Sequence, residues 1–586
     1  MIPMEKYTSK LKSIVKKLKT HQLTLLIVLT GVFLALSFIV TNGNYRCEGD
    51  ICGLWIGQWH KHDYIWHLAL IKMSFNSFPL MHPNYSGAVL DGYNYLLDYL
   101  VYLVSKIGIS PIDMFFKILP MIFFPPYLYF LFKNSRLYNK SNIYLNSFLF
   151  FALLGTSFSY LISLYIGRGL YYSTLAGFPV VTSIQPTTVF LNMQYAYSLL
   201  VLLVVIYLMQ LKSRTPLQAL ALLVLSAIAV SLKFYAVFVL TLLVGVYGTW
   251  QVLKTASLKR FWDLLLPTAL GVLLSIVWFY NPFKELANSG FAYDPFAITH
   301  HMTEDINLFY NQYLTNARYF LTAHGVSPRL VAIEALNIIL FLLVNYGTRI
   351  IAVYSIIAKI KNKQWNLFDT ALLITIVVLT LFPILFVQRG SFYNTMQFLY
   401  YAIFLSSYFA ADALFRLLTV FKNRILSYIL IMLIVAATVP THFDQFRYLS
   451  EPQRVTTQAE LEALEYLESL PSGNVFVTHS HKKDAYISAF SGKPTYFTDI
   501  DQLDVTRVSA TEREQIVIRP WLLVPQDIDV RYWYLRKSDE DFSIINDKIK
   551  SDPAFKVLYE NNEIILYERD RIMLINRKIE QESNND

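Results

Sequence analysis

Asp63 and His67 stand four residues apart in Trp59-His60-Lys61-His62-Asp63-Tyr64-Ile65-Trp66-His67. Residues at that spacing share one face of a helix. A carboxylate held near an imidazole in apolar surroundings suits proton abstraction from a hydroxyl group; the alternative is a solvated surface acid with an i,i+4 partner. A second acid, Asp98, lies inside the apolar run Tyr95-Leu96-Leu97-Asp98-Tyr99-Leu100. An acid there is costly and marks a functional candidate, although a snorkelling interfacial acid has the same pattern. Two cations complement these acids. Lys233 is the only charge between Arg214 and Lys254, and Arg389 begins a turn that runs to Asn394. Lysine as a point charge and arginine as a fork both bind phosphate, and interfacial snorkelling is the bland reading of each. Arg168 and Arg318 are further choices.

Residues this far apart meet only on a scaffold, and composition identifies its kind. The 586 residues are 55% hydrophobic and 16% charged, with a mean hydropathy of +0.40; ordinary globular chains carry about 25% charged residues. A soluble protein of this size cannot hide so much apolar surface, and disordered, collagen-like and small disulfide-rich classes are excluded. The net charge of +9 is unevenly spread: residues 1–440 hold 15 acids and 32 bases, residues 441–586 hold 26 acids and 18 bases. The bases of the first part cluster between apolar runs, as membrane-flanking residues do. Nucleic-acid binding, which needs a basic face on a soluble domain, is disfavoured. The expected fold is a polytopic α-helical membrane protein with a C-terminal soluble α/β domain.

Eleven apolar runs fit single helical crossings: 23–40, 114–132, 143–165, 195–211, 216–232, 234–250, 262–280, 329–350, 367–387, 396–415 and 425–440. The stretch 94–109 reads as re-entrant or interfacial, with a twelfth crossing as the alternative. The basic tail 1–22 belongs in the cytoplasm by the positive-inside rule, and the first run reads as an uncleaved signal anchor. Alternation then places the basic segments 133–140, 212–214, 254–260, 359–363 and 416–424 in the cytoplasm. The segments 41–113, 166–194 and 281–328 and the domain 441–579 fall outside, with a disordered tail at 580–586. The only cysteines, Cys47 and Cys52, lie in the first outer loop and suit a small disulfide in an oxidising compartment; two free thiols are the alternative. A zinc site, despite His60 and His62, lacks further ligands at suitable spacing. Some acids have local explanations: Asp369 as a helix N-cap, Asp113 in a capping box with Ser110, Asp412 paired with Arg416, and Asp91 in a turn with Gly92. The segment 59–71 reads as an amphipathic helix on the membrane surface, anchored by Trp59 and Trp66.

The order and sidedness of these segments resemble the GT-C superfamily of integral-membrane glycosyltransferases, in its poorly characterised bacterial and archaeal branch. The resemblance covers nearly the whole chain: the basic tail and first span, the outer loop with Asp63-x-x-x-His67, and Tyr93-Asn94-Tyr95-Leu96-Leu97-Asp98. It continues with the Lys233 hairpin, Tyr393-Asn394-Thr395-Met396-Gln397-Phe398 opening a late span, and Asn474–Thr478 and Ile487–Lys493 in the outer domain. It implies inverting transfer of a hexose or pentose from a polyprenyl-phosphate donor to a glycan, lipid or protein acceptor outside the cell membrane. Carried onto this chain, Asp63 is the base on the acceptor hydroxyl, Lys233 and Arg389 hold the donor phosphate where charge develops, and His67, Tyr95, Asp98, Asn394 and Gln397 contact substrate. The oligosaccharyltransferase branch has a Trp-Trp-Asp signature; here only Trp533-Tyr534 follow Arg531. That disfavours protein N-glycosylation, and the branch's metal dependence is not carried over. No cofactor is expected, with a divalent metal on Asp63, Asp91 and Asp98 as an open alternative.

In the outer domain, 456–470 reads as a helix, 474–479 as a buried strand, and 532–535 and 563–567 as further strands, with a terminal hairpin turning at Asn561-Asn562. His479 and His481 read as a structural loop pair. The sequence has no P-loop, no Gly-x-Gly-x-x-Gly after a strand, no His-Glu-x-x-His and no Gly-x-Ser-x-Gly. Two other classes compete. A transporter or flippase should show paired inverted halves, which are not visible. A polysaccharide polymerase or ligase usually lacks a large folded C-terminal domain.

Overall fold

A computed structural model describes residues 22–49, 51–56, 61–170, 192–280, 290–388, 392–420, 423–449, 453–477, 485–506, 508–518, 528 and 530–570. Among the described residues, seven helices are long and apolar enough to cross a membrane: Pro111–Tyr138, Ala236–Thr255, Phe261–Tyr280, Pro328–Lys361, Leu367–Leu385, Tyr393–Val420 and Arg424–Asp444. Shorter apolar helices, Gln22–Ser37, Asn142–Leu154, Met193–Met209 and Pro216–Leu232, occupy the other four predicted runs. Each of the eleven runs thus contains helix in a polytopic membrane protein, and the first helix extends over 20 residues, Gln22–Thr41. Leu96–Ser105 has 10 residues, about 15 Å at 1.5 Å per residue, and is too short to cross.

The clearest departure from the sequence reading is at 143–165, where the helix stops at Leu154. A Cβ on Gly155 would strike the Arg349 guanidinium, and one on Gly347, at φ +51°, would strike the backbone of Thr156 and Ser157. Arg349 donates to the Phe151 carbonyl and to Ser407 Oγ. The broken helix therefore ends on a cation, which its free carbonyls and dipole favour. Two predicted caps also differ. Asn366 is the N-cap and Asp369 its reciprocal third residue, with Asp369 also 2.8 Å from Lys359 Nζ. Ser110 makes no side-chain cap bond; Asp113 instead pairs with Lys117 at 2.5 Å. The Asp412–Arg416 pair forms at 2.6 Å. The helix Met396–Val420 forms the centre of the membrane part, with Phe398, Leu399 and Tyr401 to Leu414 all buried.

The C-terminal part holds a four-stranded sheet in the order Val475–Val477, Tyr532–Arg536, Ile564–Arg569, Phe555–Glu560. Its first pair is parallel and the others antiparallel. The helices Gln458–Ser469 and Phe542–Lys550 accompany it. The terminal hairpin turns at Asn561, as expected, and the strand predicted over 474–479 covers Val475–Val477; residues 478–479, with His479 and His481, lie outside the described set. The helix beginning at Arg424 continues through Pro440 to Leu449, so the expected boundary after 440 falls inside a helix.

The segment that follows the first membrane helix is built into this domain. The hairpin Asn44–Glu48 and Ile51–Ile56 pairs with Gln453–Thr457 as a three-stranded sheet, and Cys47 and Cys52 face each other across the hairpin in a disulfide. The predicted surface helix forms as Lys61–Lys72, but it is buried from Tyr64 to Ile71. Its apolar run is too continuous for one lipid-facing side, and the helix Tyr486–Ser491 of the soluble domain packs onto it.

Candidate active site

Where the membrane helices meet the C-terminal α/β domain lies a cavity of about 750 Å³. Four separated stretches bring predicted residues to its wall. Asp63 and His67 come from the first turns of the Lys61–Lys72 helix, whose N-terminus favours an acid. Asn94 follows a turn at Gly92, which has φ +70°, and its Nδ2 donates to the Leu232 carbonyl at 3.0 Å. Lys233 is the extended C-cap of Pro216–Leu232. Asn394 and Gln397 open the late membrane helix, with Gln397 Nε2 3.2 Å from Asn394 Oδ1. All of these line the one cavity.

Other predicted residues fall elsewhere. Asp98 is fully buried behind His67, with Oδ2 3.1 Å from His67 Nδ1, so it reaches the cavity only through that ring. Tyr95 is not in the cavity wall; as N-cap of Leu96–Ser105 it directs its ring to Phe75 and Phe279, with centroids at 5.8 and 4.8 Å. Arg389 lies outside the described residues, although its neighbour Gln388 lines the cavity and accepts from the Tyr235 hydroxyl at 3.1 Å. Asp63 and His67, expected as partners, take different ones: Asp63 pairs with His62 at 3.9 Å, and His67 with Asp98.

Sequence reasoning missed three contributors. Gln194 Nε2 lies 3.0 Å from His67 Nδ1 and 3.1 Å from Asp98 Oδ1; the sign was a polar residue two past the helix cap Asn192. His62 Nε2 lies 2.8 Å from Asp499 Oδ1. Gln502 of the soluble domain lines the cavity, and its Oε1 is buried with no hydrogen-bond partner among the described residues. The spacing Asp499-x-x-Gln502 marks a helix start but nothing in it points to a distant site.

Burial and charge act against each other here. Burial would raise the Asp63 carboxyl, but His62, His67 and Lys233 hold it well below the usual carboxylate range. Burial would lower His62, but Asp499 and Asp63 push it up to about 11. Burial brings Lys233 down to about 8 against the pull of Asp63 and Asp98, and raises the Asp98 carboxyl despite His67 and Gln194. Lys233 is 8% exposed, and the two carboxylates that attract it are paired to His62 and His67. An ammonium so enclosed, facing a polar cavity, is suited to an anion. Among the described residues no three His, Cys, Asp or Glu side chains come together as metal ligands. Trp533 and Tyr534 are fully buried in the sheet, where Trp533 stacks on Phe476 at 4.3 Å.

No protein-family model and no curated protein sequence matches the chain. Solved structures do. The archaeal oligosaccharyltransferase AglB from Archaeoglobus fulgidus, in complex with an inhibitory peptide and a dolichol-phosphate, aligns at TM-score 0.50 with 12% identity, over 95% of this chain and 75% of that one. The apo form of the Archaeoglobus fulgidus oligosaccharyltransferase aligns at 0.52 with 12% identity, over 93% and 74%. ArnT from Cupriavidus metallidurans, bound to undecaprenyl phosphate, aligns at 0.43 with 9% identity, over 93% and 98%. The likeness to the oligosaccharyltransferase, at 12% identity, is one of fold.

Proposed function

We propose that this membrane protein is an inverting glycosyltransferase that moves a sugar from a polyprenyl-phosphate donor to an acceptor hydroxyl on the extracytoplasmic face. The observation that carries this reading is that Asp63 and Lys233, 170 positions apart in the sequence, open into one cavity. The fold adds support, since a neighbour of the same architecture is an oligosaccharyltransferase seen with dolichol-phosphate.

In this reading the acceptor oxygen attacks the anomeric carbon as the bond to phosphate breaks. Asp63, kept ionised by the cations around it, takes the hydroxyl proton. Lys233 faces the phosphate as it gains charge, where a fixed cation stabilises the transition state more than the ground state. His67, held by Asp98 and Gln194, and the amides of Asn394 and Gln397 orient the sugar. The soluble domain closes the acceptor side through Gln502. A transporter reading has less support, because Asp63 and Lys233 meet at one cavity and the paired inverted halves of a transporter are not visible.

The test is transfer from a radiolabelled polyprenyl-phosphate sugar in reconstituted vesicles. Asp63→Asn should abolish transfer while leaving donor binding and thermal stability unchanged. Full transfer by that variant would remove Asp63 from the mechanism.

A further inference from the structure

We propose that Asp499, in the soluble domain, is a positioning residue for Asp63 and acts through His62. The proposal rests on the reading of Asp63 as the proton acceptor. His62 has a carboxylate at each ring nitrogen: Nε2 is 2.8 Å from Asp499 Oδ1 and Nδ1 is 3.9 Å from Asp63 Oδ1. The first contact is a hydrogen bond; the second, at 3.9 Å, is an ion pair. An imidazolium held by Asp499 therefore sets its charge beside Asp63 Oδ1. Asp63 is 47% exposed, whereas Asp499 is 1% exposed, so one carboxylate faces the cavity and the other is fixed behind it.

Asp499 is itself firmly placed. Its Oδ1 also accepts from the Gln502 backbone N–H at 3.3 Å, and its Oδ2 from Asn84 Nδ2 at 3.2 Å. It adopts φ +53°, a left-handed conformation that Asp and Asn take more readily than other side chains because they hydrogen-bond locally. The short helix that Asp499 begins, Ile500–Val505, also puts Gln502 and Val505 on the cavity wall.

A simple clasp between the domains would account for less of this. The same interface is already fastened by Arg513, whose guanidinium lies 3.8 and 4.5 Å from the Tyr85 and Tyr496 ring centroids. His82 adds a bond of 2.9 Å to Thr506 Oγ1, and Ser488 one of 2.8 Å to the Pro83 carbonyl. None of these touches Asp63. Among the described residues, the His62–Asp499 contact leads from the C-terminal domain to the candidate base. The charged groups around the pair are Asp63 and Asp499 on His62, and His62, His67 and Lys233 on Asp63.

The experiment uses Asp499→Asn in the full chain, because asparagine keeps the helix cap and the size but not the charge. The expected result is a kcat lower by roughly ten- to a hundredfold, the span of a coupled polar contact, with KM for both substrates and thermal stability unmoved. His62→Gln should lose a similar factor, and the double variant no more than either alone. Additive losses, or lost stability with unchanged kcat, would show a clasp and overturn the proposal. A second readout does not need turnover. In 15N-histidine spectra of the full chain near pH 8, above the ordinary histidine value, the signal absent from His62→Gln should be an imidazolium in the native protein and neutral in Asp499→Asn. A neutral His62 in the native protein, or one unchanged by Asp499→Asn, overturns the proposal whatever the transfer assay gives. The expected spectra with no transfer by the native protein would instead overturn the glycosyltransferase reading and leave the hold of Asp499 on His62 standing.

Discussion

His67 Nδ1 lies 3.1 Å from Oδ2 of Asp98, and Gln194 Nε2 donates to the other oxygen of the same carboxylate at 3.1 Å. Gln194 Nε2 also lies 3.0 Å from His67 Nδ1; with that amide donating to Asp98 Oδ1 and Asp98 Oδ2 accepting from the ring, the proton of a neutral His67 sits on Nδ1 and Nε2 is left for substrate. Such a partner fixes both the tautomer and the ring plane. Asp98 is fully buried, so its effect on substrate passes through His67.

Asp98→Asn should therefore behave as a His67 lesion. The asparagine amide can present a donor to Nδ1, which puts the proton on the wrong nitrogen. We expect a loss in kcat on the order of tenfold or more, equal to that of His67→Ala, and no further loss in the double variant. Steady-state transfer with both substrates saturating checks this; independent, multiplying losses would mean that Asp98 acts on substrate by another route.

Lys233 gives a pH dependence of definite sign. Burial brings it down to about 8, so its charge is complete well below that pH and lost as pH rises through it. If it holds the donor phosphate, KM for the donor should rise above about pH 8, while KM for the acceptor stays level. Lys233→Arg keeps a charge at any accessible pH and should flatten that limb. Lys233→Met should weaken donor binding at all pH values. Donor titrations across pH on the three proteins decide the matter; a donor limb that persists in Lys233→Arg would assign it to another group.

Much of this arrangement was legible before the fold. Long apolar runs announce helices because a bilayer demands internally satisfied backbone, and Lys233 stood out as a charge alone among them. The side chains that complete the site were not legible, because their roles come from tertiary neighbours. His67 shares a helix face with Asp63, yet Asp98 wins it because the Leu96–Ser105 helix packs directly against Lys61–Lys72. Tyr95 sat in a motif beside Asp98, but the cap geometry turns its ring to Phe75 and Phe279. Asp499 and Gln502 carry only a helix-start pattern, and 437 positions separate Asp499 from His62. The helix Lys61–Lys72 was misplaced to the lipid surface because nothing in its own sequence announces the soluble domain that covers it.

The sidedness can be tested with introduced thiols, since the two native cysteines are joined in a disulfide and only the new one reports. Glu512 and Lys361 are both exposed. Glu512→Cys should react with an impermeant maleimide on intact cells, and Lys361→Cys only after permeabilisation. The reverse pattern would place the cavity on the cytoplasmic side and end the extracytoplasmic assignment.

Gln502 separates recognition from stability. Its side chain is 8% exposed, it lines the cavity, and its Oε1 has no partner among the described residues. A buried acceptor without a partner costs folding free energy, so replacing it with leucine should leave stability equal or slightly higher. If the oxygen takes a hydrogen bond from the acceptor substrate, the same change should raise KM for the acceptor by roughly three- to tenfold, the value of one neutral hydrogen bond. Donor KM, and slow donor hydrolysis without acceptor, should not move, because Lys233 and Asp63 are untouched. Thermal melts and acceptor titrations of Gln502→Leu read the two effects separately. Lower stability with an unchanged acceptor KM would show that Gln502 serves the fold, and the acceptor would then be read by the membrane half of the cavity.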